Sequence, residues 1–231
     1  MIHLIKDRVL SEQSLTYTEA EYLSNLNGKE LIELFYTANQ IRDLYRKDKI
    51  DLCAIINAKS GACSEDCSYC AQSSKNKTDI PVYPLISKEI VIEKAKEAKA
   101  AGVKRFCIVT SGRKVGNKEL KEIGTMISDI KKLGLLPCAT LGLLNKEELI
   151  FLKEHGLVRY HHNLETSERY FPEICQTHTY KDKLNTIEAA LDVGLSVCSG
   201  GIFGMGETWQ DRIDMAFKIK ELDVDSVPIN F

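Results

Sequence analysis

The sequence predicts an α/β protein: a parallel (βα) barrel of the TIM type, with six strands present of an expected eight, behind an N-terminal helical cap. Three observations carry this reading. From residue 51 onward, short apolar runs alternate with amphipathic stretches at helical spacing. Glycine closes the helical stretches at Gly102, Gly134, Gly156 and Gly194, where a helix end favours a left-handed residue. Repetition of strand, helix and strand builds right-handed parallel units.

Residues 1–50 show no strand-like alternation. Segments 18–26 and 28–46 read as helices, the second with Leu31, Leu34, Phe35, Ala38, Ile41 and Tyr45 on one face. Residues 1–50 are therefore expected to form the cap and 51–231 the barrel. Strands are expected at 53–57, 105–110, 136–141, 158–164, 195–202 and 226–231. The helices between them are expected at 87–101, 118–133, 145–156, 180–193 and 208–222, and Asn145 with Glu148 resembles a capping box. An eight-stranded barrel takes about 250 residues. Residues 51–231 hold six strands and stop on one, which fits either a natural partial barrel or a sequence cut short.

Composition narrows the function. With 44% hydrophobic residues among 231 there is core material for one large domain. A net charge of −2, with Lys and Arg spread evenly, offers no basic patch for nucleic acid or an anionic membrane. The first residues carry charges too early for a signal peptide, and the longest apolar stretch, 133–144, is broken by Gly134, Pro137 and Gly142. A cytoplasmic location is expected, where eight cysteines stay reduced and serve as metal ligands or core residues.

Cys63, Cys67 and Cys70 lie within eight residues. Three thiolates hold three irons of a four-iron cluster, whereas ferredoxin sites use four cysteines. The open iron is what direct binding of a small molecule to the metal requires, as in catalytic zinc sites with a free position. Zinc fits this spacing less well, because the first gap is three residues and no second close pair of Cys or His follows. The loop follows the first strand, so it sits at the carboxyl face where barrel sites form.

Cys107, Cys138 and Cys198 each take about the third position of a strand. Pointing inward, they would form a sulfur-lined layer below the loop. Singly, each also reads as a small core hydrophobe, so a second metal site and plain packing both stand. On the fourth strand, His161, Asn163 and Glu165 alternate onto the face opposite His162 and Leu164. A carboxylate there suits the paired hydroxyls of a ribose and an amide both donates and accepts, or the segment simply begins a loop. The Gly-rich run Gly200–Glu207 allows close backbone approach without the spacing of a dinucleotide fingerprint.

These residues carry a resemblance. The CxxxCxxC loop, with Tyr69 before its last cysteine, is similar to that of the radical S-adenosylmethionine superfamily. From about residue 15 to its end the chain resembles the biotin synthase family, through Lys59-Ser60-Gly61-Ala62-Cys63, Arg105-Phe106-Cys107, Cys138-Ala139-Thr140-Leu141-Gly142, His162-Asn163-Leu164-Glu165-Thr166-Ser167, Val197-Cys198-Ser199-Gly200-Gly201 and Ser226-Val227-Pro228-Ile229-Asn230.

The resemblance implies that Cys63, Cys67 and Cys70 hold a 4Fe-4S cluster whose open iron chelates S-adenosylmethionine. One electron would then release a 5′-deoxyadenosyl radical, which takes hydrogen from two carbons of dethiobiotin while sulfide from an auxiliary cluster closes the ring. By position, Cys107, Cys138 and Cys198 match the auxiliary-cluster thiolates, and the cluster is implied to be 2Fe-2S or a larger variant. Tyr69, Asn163, Glu165, Lys183 and Gly204 match cofactor contacts, and Asn230 the substrate amide. Lys183 stands where the family often has Arg, keeping the charge and losing the fork. His161 stands where many relatives have Asn; it reads either as a core residue or as a group bordering or ligating the auxiliary cluster near the substrate. Cys53 and Cys175 are extra thiols. The family further implies a flavodoxin or ferredoxin as electron donor and a homodimer. The family's barrel continues for two more strands, which bear an Arg ligand to the auxiliary cluster. A hydrogenase-maturation-like enzyme and a non-catalytic cluster-binding fragment are the alternatives.

Overall fold

A computed structural model describes residues 1–231. Five parallel strands lie in chain order: β1 (Cys53–Lys59), β2 (Arg105–Thr110), β3 (Leu136–Thr140), β4 (Arg159–His161) and β5 (Ser196–Cys198). Two further short strands, β6 (Gly201–Ile202) and β7 (Ile229–Asn230), pair in parallel with each other. Bridges from Glu165 to Gly201 and from Cys198 to Ser226 carry the second pair on from the first sheet. The result is an open run of parallel βα units, consistent with the expected barrel type.

Between the strands lie α4 (Lys88–Ala100), α5 (Asn117–Lys132), α6 (Lys146–Glu154), α8 (Tyr180–Asp192) and α9 (Trp209–Glu221). The apolar spacing of α5 explains its seat: Leu120, Ile123, Met126, Ile127 and Ile130 are all buried on one face. Burying each such side chain contributes about 1.5–3 kcal/mol relative to exposure. Asn145 opens α6 with the expected capping box, accepting from the Glu148 amide at 2.9 Å. Gly102, Gly134, Gly156 and Gly194 all have positive φ, as helix-ending residues require.

Strand parity then fixes two faces. Phe106, Ile108, Ala139, Tyr160 and Val197 are buried in the core between sheet and helices. Cys107, Cys138, His161 and Cys198 take the alternate positions and face the barrel interior.

Several expectations need correction. The N-terminal region has three helices, α1 (Ile2–Leu10), α2 (Tyr17–Ser24) and α3 (Gly28–Tyr45), the unforeseen first one burying Ile2 and Ile5. A four-residue helix, α7 (Phe171–Ile174), was also not anticipated. The fourth strand keeps only three residues of ladder, and beyond its end Glu165 turns left-handed at φ 73°. The fifth divides at Ser199 and Gly200, where the Gly200 amide donates to Asn163 Oδ1 at 3.1 Å and the chain changes neighbours. The sixth is reduced to Ile229–Asn230, since Pro228 donates no amide bond. Nor do the three interior cysteines share one depth. Cys107 pairs with Cys138, but Cys138 pairs with Arg159 and Arg159 with Ser196, so Cys198 stands two residues further along, level with His161.

Gly200 has a packing reason to be glycine. An added Cβ would lie 1.8 Å from the Pro228 carbonyl oxygen, so the segment carrying β7 approaches only because no side chain intervenes.

Candidate active site

At the carboxyl ends of β1 to β4 opens a cavity of about 250 Å³, lined among others by Cys63, Cys67, Cys70, Tyr69, His161, Asn163, Glu165 and Lys183. The loop after β1 is tied down by its backbone. Gly61 and Ala62 turn left-handed, the Cys63 amide donates to Gln72 O at 3.1 Å, and Asn76 Nδ2 donates to the carbonyls of Cys67 and Cys70 at 2.9 Å each. Those bonds occupy the loop's polar backbone and leave its three thiols on the cavity wall. None is in a disulfide. Burial and the neighbouring Cys175 push the free Cys67 thiol up to about 12, with Lys183 pulling the other way.

Three free thiols on one loop, beside a cavity large enough for a ligand, fit an iron-sulfur cluster with one open iron. The fourth strand supplies the opposite wall. His161 Nε2 lies 2.8 Å from Asn163 Oδ1, and Asn163 Nδ2 donates to Glu165 Oε2 at 3.3 Å. Lys183 Nζ donates to the Asn163 carbonyl at 3.1 Å and stands 3.6 Å from Glu165 Oε1. The expected shared face is thus a connected polar chain. Leu164 turns into the core, while His162, also buried, reaches the cavity wall with its ring stacked on Tyr160. Burial holds the His162 imidazole well below its ordinary range, and its Nε2 has no partner within the protein. Burial, then the charges of Glu165 and Cys67, pushes the Tyr69 phenol far up.

A second sulfur group lies on the strands below. Cys107 and Cys138 are opposite each other in the ladder; the neighbouring Cys138 thiol and burial push Cys107 well above the ordinary thiol range, while the neighbouring Cys107, with Arg105 and Arg159, holds Cys138 below it. Burial pushes Cys198 and Cys53 up, and the charge of Cys138 reaches both. The thiols and two guanidinium groups suit a charge-compensated thiolate site, so these residues fit a second cluster. Gly204 and Asn230 lie outside the cavity. Gly204 is exposed with its amide bonded to Glu207 Oε1 at 2.8 Å, and Asn230 is exposed at the end of β7.

Sequence reasoning passed over Glu65, Arg113, Arg159 and His178. The Cys175-x-x-His178 spacing and the alternation Arg159-Tyr160-His161 were the available signals.

A parallel βα fold with a three-cysteine loop over a ligand cavity defines the class, and the Radical SAM superfamily model matches residues 58–219. Biotin synthase of Thermodesulfovibrio yellowstonii is 53% identical over 95% of this chain and 69% of its own length. That of Clostridium botulinum is 50% identical over 100% of this chain and 72% of its own. This chain belongs to the biotin synthase family of radical S-adenosylmethionine enzymes, with a 4Fe-4S cluster and S-adenosylmethionine as cofactors. Among solved structures, methylornithine synthase superposes with TM-score 0.85 at 23% identity over 97% of this chain and 66% of that one. The [FeFe]-hydrogenase maturase HydG of Carboxydothermus hydrogenoformans gives 0.81 at 19% over 99% and 56%. These likenesses show the fold. No helix is long and apolar enough to cross a membrane.

Proposed function

We propose that the chain inserts sulfur into dethiobiotin using two clusters, one on Cys63, Cys67 and Cys70 and an auxiliary one, 2Fe-2S or larger, on Cys107, Cys138 and Cys198. When bound, the first supplies the electron that cleaves S-adenosylmethionine to a hydrogen-abstracting radical, and the second supplies the sulfur. The observation that carries this reading is the stacking of two thiol groups along one barrel interior, with the His161–Asn163–Glu165 chain running from the level of Cys198 up to the cavity.

The chain's own residues bind and orient. The Glu165 carboxylate and Asn163 amide face the cavity as partners for ribose hydroxyls. Lys183, 5% exposed, offsets the Glu165 charge and keeps that carboxylate directed. The Tyr69 ring narrows the cavity and excludes water beside Cys67 and Cys70. Gly204 and Asn230, and His161 toward the substrate, belong to the same proposal, as do a flavodoxin or ferredoxin donor, a homodimer and a cytoplasmic location.

The test is product analysis after strictly anaerobic reconstitution and reduction with dethiobiotin and S-adenosylmethionine, on this chain and on a form extended beyond Phe231. Biotin together with 5′-deoxyadenosine is expected. Deoxyadenosine without biotin in both forms overturns the sulfur-insertion reading.

A further inference from the structure

The buried group beside Cys67 has no part in the proposed reaction. Cys67, Cys175 and His178 bring two thiols and an imidazole within 4.8 Å of one another, and all three residues are buried. Cys67 Sγ lies 3.7 Å from Cys175 Sγ. Two thiolates on one tetrahedral zinc, with bonds of about 2.3 Å, stand about 3.8 Å apart.

The imidazole is prepared in the same sense. His178 Nδ1 lies 2.6 Å from Glu65 Oε2, while Cys175 Sγ is 3.2 Å from Nδ1 and 3.8 Å from Nε2. Nδ1 is the ring nitrogen nearest the thiol, so an ion shared with Cys175 takes the Nδ1 lone pair in place of the Glu65 contact and leaves the imidazole proton on Nε2. Glu65 is itself held by Thr177 Oγ1 at 2.8 Å and Arg113 Nη1 at 3.6 Å. Asp66 Oδ1 stands 3.2 Å from Cys175 Sγ but is filled by the amides of Gln176 and Thr177 at 2.9 and 3.1 Å. It shapes the loop, and the fourth position of a tetrahedral ion falls to the cavity that Cys67 and His178 both line.

We propose that the cluster-free chain binds one Zn2+ through Cys67, Cys175 and His178 Nδ1, the ion replacing the contact between His178 and Glu65, and that this form excludes the 4Fe-4S cluster because both need Cys67. Binding expels the two thiol protons to solvent and places two thiolates on the dication, with no change of oxidation state. Two sulfurs and a nitrogen in tetrahedral array select zinc over the hard cations.

The full chain, prepared anaerobically without cluster, is titrated with Zn2+ against a competing chelator, and with Co2+ for its thiolate charge-transfer and tetrahedral absorption. One ion per chain is expected, with Cys175→Ser and His178→Ala each weakening Zn2+ at least tenfold. Cys175→Ser should still take up iron and sulfide to the wild-type level, and added Zn2+ should impede that uptake in the wild type much more than in the variant. Wild-type zinc affinity in both variants overturns the proposal. So does zinc lost on Cys63→Ala or Cys70→Ala but kept on Cys175→Ser. Should Cys175→Ser fail to fold by circular dichroism, His178→Gln and the wild-type cobalt spectrum decide, and a spectrum without thiolate bands counts against the site. Neither result bears on sulfur insertion, which uses the cluster-loaded form.

Discussion

Cys107 and Cys138 stand directly opposite each other across the β2–β3 ladder, both on the interior face of their strands. The pair lies on the interior strand face below the cavity rather than among the residues that line it. The separation allows the two sulfur groups to be switched off independently.

Cys67→Ala should abolish reductive cleavage of S-adenosylmethionine. Cys138→Ala should spare cleavage and lose biotin formation. Parallel quantification of 5′-deoxyadenosine and biotin by mass spectrometry checks the pair. Equal loss of both products in Cys138→Ala, with the loop cluster intact by its iron content, contradicts the division.

Asn163 bonds to His161, Glu165 and the Gly200 amide at once. Asn163→Ala strips partners from groups that are half-buried or buried, a loss of about 1–3 kcal/mol for a site that depends on them. S-adenosylmethionine affinity of the reconstituted enzyme should fall about tenfold, measured by equilibrium dialysis. Unchanged affinity would remove Asn163 from the cofactor contacts.

Asp211 contributes acid sensitivity to the last βα unit, beside Glu207 and Asp225, whose carboxyls are also held low. Burial alone raises its carboxyl, but hydrogen bonds from Arg169, Ser167 and Thr208 outweigh it and hold the group well below the ordinary range. Its folded value lies below the unfolded value of about 3.9. The stabilisation is therefore complete above about pH 4 and lost as pH falls through the folded value. Asp211→Asn should lower the denaturant midpoint at pH 7 and show a shallower decline in stability below pH 4 than the wild type. Parallel slopes in urea titrations across pH 2–7 would exclude the role.

Gly200→Ala drives a methyl group into the Pro228 carbonyl. Overpacking of this kind costs about 1–3 kcal/mol, which for a domain of this size lowers Tm by about 2–12 °C. Differential scanning calorimetry checks the shift, and hydrogen exchange should rise first at Ile229 and Asn230. A wild-type Tm would mean that the β6–β7 pair contributes nothing to cooperative unfolding.

Much of the fold was legible in the chain. Apolar periodicity and the closing glycines located β2 and the helices α4, α5, α6, α8 and α9 to within one or two residues, because those signals are local. The three-cysteine loop was legible for the same reason: its thiols fall within eight residues, so spacing alone expresses their proximity. The short α7 was not, since four residues starting Phe171-Pro172 show no period.

What the sequence determined by itself was the list of thiols, the loop that carries three of them, and the alternation that turns Cys107, Cys138 and Cys198 away from the helices. Tertiary structure decided their depth, setting Cys198 level with His161 rather than with Cys138, because register belongs to hydrogen bonds between strands. It also decided that Glu65 and Cys67 meet Cys175 and His178. Those partners are more than a hundred residues apart, and only the closing of successive parallel units brings the loop after β1 against the segment after β4.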